Sequence, residues 1–197
     1  MTLDLANLDL SLFPPVPSDA PESHFVELYK DDRSLVESVR TFVSMGIAAG
    51  EAAVVVATAF HRVLFEAELG RTVDLDAARA QGLYVTAGAE ETLALFMRDG
   101  SPDAALFEQA IGSLLDVAGQ GGRNVRVFGE MVAVLWAEGN QKAALELEQL
   151  WNELAERRSF RLFCAYGTGA FDDGDLEALT AIARQHSHVV VPERPGV

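Results

Sequence analysis

The residue best placed for chemistry in this sequence is an acid, Glu130, which follows the apolar segment VRVF and Gly129. In open parallel α/β sheets, ligands bind outside the carboxyl ends of the strands, and nucleotide hydrolases place an acid there to manage metal and water. Apolar residues also follow Glu130, so its carboxylate is expected in a poorly hydrated position where it needs a partner. The alternative is a glutamate at a helix N-terminus, where the helix dipole favours it.

A threonine and a histidine stand at the equivalent point of an earlier segment. GEAAVVVATAFHR, residues 50–62, is typical of a buried strand, a turn and the start of a helix. A phosphate loop here would be rich in glycine and end in Lys-Ser or Lys-Thr, whereas this turn carries Thr58 and His61. Imidazole could donate to an anion or accept from a hydroxyl, but it does not replace a nest of backbone amides. The alternatives are a helix cap for Thr58 and an exposed or half-buried side chain for His61.

Five further polar residues are candidate ligand contacts. His24 and Tyr29 lie on the predicted strand HFVELY, where alternation places them on opposite faces unless a bend intervenes; a strand start and a buried, satisfied tyrosine are the alternatives. Glu148 and Asn152, four residues apart, share a stripe of a predicted amphipathic helix. They either reach inward to fix a neighbouring loop or face water. Tyr166 ends the predicted strand FRLFCAY.

Metal and covalent chemistry are not expected. Cys164 is the only cysteine, so an internal disulfide is excluded and a reducing cytoplasm fits; its apolar neighbours indicate an inert core thiol. His186 and His188 could present two imidazoles on one side of an extended segment, but zinc sites use three or four donors. G-x-S-x-G, H-E-x-x-H and C-x-x-C motifs are absent. We therefore predict no catalytic residue, no metal and no cofactor, and consider an enzyme the less expected class.

Strand-like and helix-like segments alternate along the chain from His24 onward. The segment AAVVVA is apolar on both faces, which is typical of a parallel strand covered by helices. Ser101 and Pro102 are expected to open a helix as its cap and first-turn residue, and the last helix is expected over residues 176–186. The predicted fold class is α/β: three layers, with a mainly parallel central sheet, right-handed crossovers and helices on both faces.

The length of 197 residues fits one domain, predicted over residues 24–192. A proline-rich arm over residues 1–23 is expected to be disordered, and residues 193–197 form a tail. A formal net charge of −15 repels phosphate backbones, so nucleic acid is not an expected partner. No apolar run approaches the roughly 20 residues that span a bilayer, and the N-terminus lacks the cationic start of a signal peptide. The expected location is cytoplasmic, with no membrane partner.

Six segments, in this order and spacing, resemble the MEDS domain, a sensory domain named from methanogen and methylotroph regulators that include a dichloromethane-responsive repressor. They are HFVELY, GEAAVVVAT with a histidine shortly after, VRVFGEMVAVLWAEGN, ALELEQLWNEL, FCAYG and HSHVVV. The resemblance implies a fold related to RecA-type P-loop proteins without the phosphate loop. It also implies that the chain senses small hydrocarbon derivatives or similar metabolites.

The same resemblance implies site residues. By matching motif these are His24, Tyr29, Glu130, Glu148 and Asn152, followed by Cys164 and Tyr166. One departure concerns the first motif, which in the family often has a cysteine two residues after its histidine, whereas this chain has Val26. That difference argues against metal or thiol chemistry at the first motif.

The leading hypothesis is a stand-alone bacterial sensory module of signal transduction and transcription regulation. A small molecule in the crevice would shift the helices after Glu130 and change the affinity for a regulatory protein, such as a kinase or an anti-sigma-type protein. The second hypothesis is a protein-interaction scaffold without a ligand, for which a homodimer built on exposed apolar surfaces is one arrangement. The third is a divergent ATPase or phosphotransferase that uses Glu130, against which the missing Gly-Lys-Ser/Thr counts strongly.

Overall fold

The computed structural model describes residues 24–171 and 176–191, so the predicted arm over residues 1–23 and the tail lie outside the described residues. The strands are β1 (His24–Tyr29), β2 (Ala52–Ala57), β3 (Tyr84–Gly88), β4 (Met97–Arg98), β5 (Ser101–Pro102), β6 (Val125–Gly129), β7 (Arg161–Gly167) and β8 (His188–Val190). The helices are α1 (Asp32–Ala48), α2 (Ala59–Leu69), α3 (Leu75–Ala80), α4 (Ala89–Phe96), α5 (Ala104–Ala118), α6 (Met131–Ala137), α7 (Gln141–Ala155) and α8 (Leu176–Ala183).

Six of these strands form one sheet in the order β3-β2-β6-β7-β1-β8, and every pairing in it is parallel. Residues of α1, α2 and α3 pack on one face of the sheet, and residues of α4 to α8 pack on the other. The predicted α/β class, with a parallel sheet between two helical layers, is confirmed. The order also places β1, the first strand of the chain, between β7 and β8, which are the last two.

Local sequence explains the elements that carry candidate site residues. All six residues of β2 are buried, as expected for a parallel strand covered on both faces. Asp31 caps α1 by accepting from the backbone amide of Ser34, and Thr58 caps α2 by accepting from the amide of His61. The turn after β2 is therefore fixed with Thr58 at the sheet edge and His61 in the first turn of α2.

The prediction that Ser101 and Pro102 open a helix was wrong. They form β5, which pairs antiparallel with β4, and Asp103 caps α5 by accepting from the amide of Leu106. Serine and aspartate are both good helix caps. Because Ser101 pairs with Arg98 in the two-stranded ribbon of β4 and β5, Asp103 is the residue that caps α5. The last helix also ends earlier than expected, at Ala183, which leaves His186 in the turn before β8. Over the described residues, every helix is too short or too polar to cross a bilayer.

Candidate functional site

The candidate site residues lie in two groups. The first, which we call the edge cluster, lies where β1, β2 and β6 end and contains Tyr29, Asp32, Thr58, His61 and Glu130. The second, which we call the core cluster, lies on the sheet face covered by α7. Its members are His24, Glu148, Asn152, Cys164, Tyr166 and His186. Eight of these residues were predicted as ligand contacts, namely all but Asp32, Cys164 and His186, and their role in ligand binding stays a prediction.

The edge cluster is organised by Glu130, the residue between β6 and α6. One carboxylate oxygen accepts from the backbone amide of Thr58 at 2.8 Å, and the other makes a very short contact with Nδ1 of His61. On its other side, Nε2 of His61 lies 3.4 Å from a carboxylate oxygen of Asp32. His61 and Glu130 are only 6% and 4% exposed. The imidazole is thus held between two acids, one buried and one half-exposed.

This arrangement shifts two pKa values. Burial alone would lower the pKa of His61, but the hydrogen bond and Coulomb attraction to Glu130, with a smaller contribution from Asp32, outweigh burial and raise it. Tyr29 contacts the His61 ring edge-on, with the centroids 6.3 Å apart. Its pKa rises to about 12, first through burial and then through the negative charges of Glu130 and Asp32. The edge cluster therefore favours a protonated histidine beside a neutral tyrosine.

The start of α2 is the position at which a phosphate would bind in a nucleotide-binding α/β protein, because backbone amides there face an anion. Here the Glu130 carboxylate occupies that position and takes the Thr58 amide. A side-chain carboxylate of the protein thus takes the place of a bound anion at the start of α2.

The core cluster draws on elements from across the chain. His24 starts β1, and Cys164 lies on β7 in the register opposite Val26, two residues further along β1. Glu148 and Asn152 project from α7 towards these strands, and His186 follows α8. Glu148 and Cys164 are fully buried. The placement of β1 between β7 and β8 is what brings these distant residues together.

Hydrogen bonds fix the orientation of His24. The Asn152 amide nitrogen donates to the backbone oxygen of Gln185 at 2.9 Å, so its carbonyl oxygen must be the atom that faces Nδ1 of His24 at 2.8 Å. Nδ1 is therefore the protonated nitrogen, and it donates to Asn152. Nε2 of His24 lies 3.2 Å from a Glu148 oxygen and 3.4 Å from the Cys164 sulfur.

The other members of the core cluster also face Glu148. Tyr166 donates its hydroxyl to one carboxylate oxygen at 2.9 Å. His186 donates from Nδ1 to the backbone oxygen of Ile182 at 2.7 Å, and its Nε2 lies 3.4 Å from the same Glu148 oxygen. Burial lowers the pKa of His186 to about 4 and raises the pKa of Cys164 well above its usual value, with a further rise from the charge of Glu148.

A surface cavity of about 310 Å³ adjoins the core cluster. Trp151, Phe160 and Leu162 supply apolar walls, and His24 and Asn152 supply polar atoms. His24 is therefore both a wall of the cavity and a member of the buried hydrogen-bond network. An apolar cavity with a few polar groups is the usual form of a small-molecule site.

Fold and clusters together define an α/β domain in which two groups of polar and charged residues, most of them buried, are bonded to one another. The family model described as MEDS, the methanogen/methylotroph, DcmR sensory domain, matches residues 23–186. The chain therefore belongs to the MEDS family of sensory domains. No curated protein matches the chain in a comparison of whole sequences.

Two members of the clusters, Asp32 and His186, were not predicted as site residues, and Cys164 was predicted as an inert core thiol and named as a site residue only through the family resemblance. His186 was considered only together with His188. Of these two histidines, His186 is buried in the core cluster, whereas His188 begins β8 and contacts the Ser187 hydroxyl. Alternation could have found part of this set, because His24, Cys164 and Tyr166 occupy positions of one parity on β1 and β7.

Proposed function

We propose that this chain senses a small organic molecule in the cavity beside His24 and passes the signal to a regulatory protein. The observation that carries the proposal is the double position of His24, which lines the cavity and contacts Glu148 in the core cluster. Membership of a sensory-domain family supports the same function.

The cavity suits a small ligand with one polar group. A volume of about 310 Å³ lies at the lower end of the range for ligand sites, roughly 300–1,000 Å³. Its apolar walls would cover a hydrocarbon portion, and His24 or Asn152 would bond a hydroxyl, carbonyl or carboxylate. A small hydrocarbon derivative, the ligand class implied by the resemblance, has this chemistry.

The effect of ligand binding would be transmitted to the protein surface through Asn152. This residue bonds both His24 and the backbone of Gln185, and Ser187 is bonded to the His24 carbonyl through its backbone amide at 2.7 Å. A ligand that competes for Asn152 or His24 would change the turn between α8 and β8. Such a change would shift the population between two arrangements of this edge of the sheet. A kinase or an anti-sigma-type protein that prefers one arrangement would read the signal.

The edge cluster counts against the nucleotide-hydrolase alternative. The Thr58 amide and His61 are both engaged by Glu130, so a triphosphate would have to displace a buried carboxylate before it could use them. The relationship to RecA-type proteins stays a prediction.

Isothermal calorimetry and thermal-shift measurements with short-chain alcohols, aldehydes, halides and carboxylates test the proposal, with Mg-ATP as a separate arm. We expect a member of the panel to bind and Mg-ATP not to bind. Ala155→Phe fills the cavity and should abolish that binding, whereas Ala94→Phe, on the exposed face of α4, should preserve it. Absence of binding by the whole panel, or equal binding to both variants, would refute sensing at this cavity.

A further inference from the structure

We propose that the core cluster is a binding site for a zinc-class divalent metal ion, coordinated by His24 Nε2, Glu148, Cys164 Sγ and His186 Nε2. One ligand atom from each of these residues lies within 4.8 Å of the others. The inference does not rest on sensing at the cavity, because metal binding is measured without any organic ligand.

Four separations between the donor atoms are close to those of a tetrahedral zinc site. Bonds of 2.0–2.3 Å from zinc to nitrogen, oxygen and sulfur place neighbouring ligand atoms about 3.3–3.8 Å apart. Here His24 Nε2 lies 3.2 Å from Glu148 Oε2 and 3.4 Å from Cys164 Sγ. The Cys164 sulfur lies 3.6 Å from Glu148 Oε2, and His186 Nε2 lies 3.4 Å from Glu148 Oε1. Because these distances involve both Glu148 oxygens and the full set of donors spans up to 4.8 Å, the side chains would move slightly inward around a bound ion.

Both imidazoles are oriented as metal ligands. A coordinating histidine nearly always donates its other ring N–H to a carbonyl or carboxylate, which fixes the tautomer and aims the free lone pair at the ion. His24 donates from Nδ1 to Asn152, and His186 donates from Nδ1 to the backbone oxygen of Ile182. In each residue the remaining nitrogen, Nε2, is the one that faces the cluster.

An unpartnered polar atom independently indicates a missing ligand. Nε2 of His186 is buried without a hydrogen-bond partner, and the side chain is fully shielded from solvent. A Glu148 oxygen, which accepts from Tyr166, lies 3.4 Å from it. Two acceptors that face each other at 3.4 Å repel unless a cation lies between them. Buried polar groups without a partner are rare, and a metal ion at this point would satisfy the nitrogen.

The charge and softness of the donors select the ion. A thiolate and a carboxylate neutralise a divalent cation, and two neutral imidazoles complete four-fold coordination, so the buried site carries no net charge. Mixed nitrogen, sulfur and oxygen donors suit zinc rather than magnesium or calcium, which prefer oxygen alone. On binding, the metal–sulfur bond replaces the S–H bond of Cys164, and the proton leaves to solvent.

The expectation of no metal rested on His186 and His188 as the only pair of donors and on Val26 in place of a cysteine in the first motif. Chain topology supplies the other three ligands, which lie on β1, α7 and β7, and it leaves His188 on the outer strand β8. No local spacing of residues reveals such a site.

Titration of the chelator-treated full chain with Co²⁺ tests the inference. We expect one Co²⁺ per chain, the visible bands of a four-coordinate ion and a near-ultraviolet thiolate-to-cobalt charge-transfer band, all removed by Zn²⁺. Cys164→Ser should lose the charge-transfer band. His186→Ala should bind about 100-fold more weakly, since even residues that only orient ligands change affinity 10- to 100-fold. The matched control His188→Ala should behave as the unmodified protein.

Circular dichroism checks that each variant folds, and X-ray absorption of the Co²⁺-loaded unmodified chain provides a measurement that needs no variant. A cobalt–sulfur distance of about 2.3 Å is expected. The inference is overturned by the absence of saturable binding, by the absence of a cobalt–sulfur shell, or by equal losses in His186→Ala and His188→Ala. If the chain binds metal but no compound of the organic panel, sensing at the cavity is refuted and the metal site stands. If it binds a compound of the panel but no metal, the metal site is refuted and sensing stands.

Discussion

The backbone amide of Thr58 donates to the carboxylate of Glu130 at 2.8 Å, across 72 positions of sequence. This bond joins the start of α2 to the end of β6, two points that parallel pairing of β2 and β6 brings to the same edge of the sheet. It satisfies a helix amide that would otherwise need water or a bound anion. Glu130 therefore ties two elements together in addition to any role towards a ligand.

Glu130→Gln is expected to lower the free energy of unfolding by about 3 kcal/mol, because removing one partner of a buried ion pair leaves the other uncompensated. Urea denaturation followed by circular dichroism measures the change. Glu138→Gln removes the same charge from an exposed position after α6 and should change stability by less than about 0.5 kcal/mol. Equal effects of the two substitutions would show that the pair of His61 and Glu130 does not stabilise the fold.

The raised pKa of His61 predicts a dependence of stability on pH. A histidine whose pKa is higher in the folded than in the unfolded state stabilises the fold fully below the unfolded value, about 6.5. That contribution is lost as pH rises through the folded pKa. The titratable groups that face the imidazole are Glu130, Asp32 and Tyr29. Stability should fall as pH rises above about 6.5, and His61→Gln should flatten this part of the curve. An unchanged slope in His61→Gln would contradict the assignment.

Much of the fold follows from periodicity in the sequence. The continuous apolar run of β2 requires cover on both faces, and the alternation of strands with helices then requires a parallel sheet. Short elements were harder, because α3 and the ribbon of β4 and β5 span too few residues to show a period. At Ser101 and Asp103 two good caps compete, and only tertiary pairing decides between them.

The site was less predictable than the fold. Glu130 and His61 could be located because each lies within a few residues of the carboxyl end of a strand, where ligands bind in parallel sheets. The core cluster as a set has no such marker. Its members lie on β1, α7, β7 and the turn after α8, and these elements meet only because β1 inserts between β7 and β8. Strand order depends on the packing of the whole chain, which no local pattern of residue types contains.

Replacing Gly46 in α1 by alanine should change stability in the direction opposite to that expected from helix propensity. Alanine normally favours a helix interior by about 1 kcal/mol over glycine, yet a Cβ at Gly46 would lie 2.7 Å from Cδ of Arg126. That side chain is held by Glu51 and by the backbone oxygen of Phe42, so it cannot easily move. We expect Gly46→Ala to destabilise the protein by about 1–3 kcal/mol, as overpacking does.

Gly112 in α5 is the matched control for Gly46. A Cβ there would approach only the end of the Arg158 guanidinium, at 3.3 Å, and this side chain is one-third exposed and pairs with Asp116, which is itself exposed. Because the guanidinium can move, Gly112→Ala should raise stability by up to about 1 kcal/mol. Thermal unfolding of both variants measures the difference, and a gain for Gly46→Ala would contradict the packing of Arg126 against α1.

Two buried tyrosines predict opposite outcomes for the same substitution. The hydroxyl of Tyr166 donates to Glu148, so Tyr166→Phe leaves a buried carboxylate short of a donor and should cost about 1–3 kcal/mol. The hydroxyl of Tyr84 is buried without a hydrogen-bond partner, so Tyr84→Phe removes an unsatisfied group and should leave stability unchanged or increase it. Urea denaturation in the presence of chelator measures both without any contribution from metal. A larger loss for Tyr84→Phe than for Tyr166→Phe would show that Tyr166 does not support Glu148.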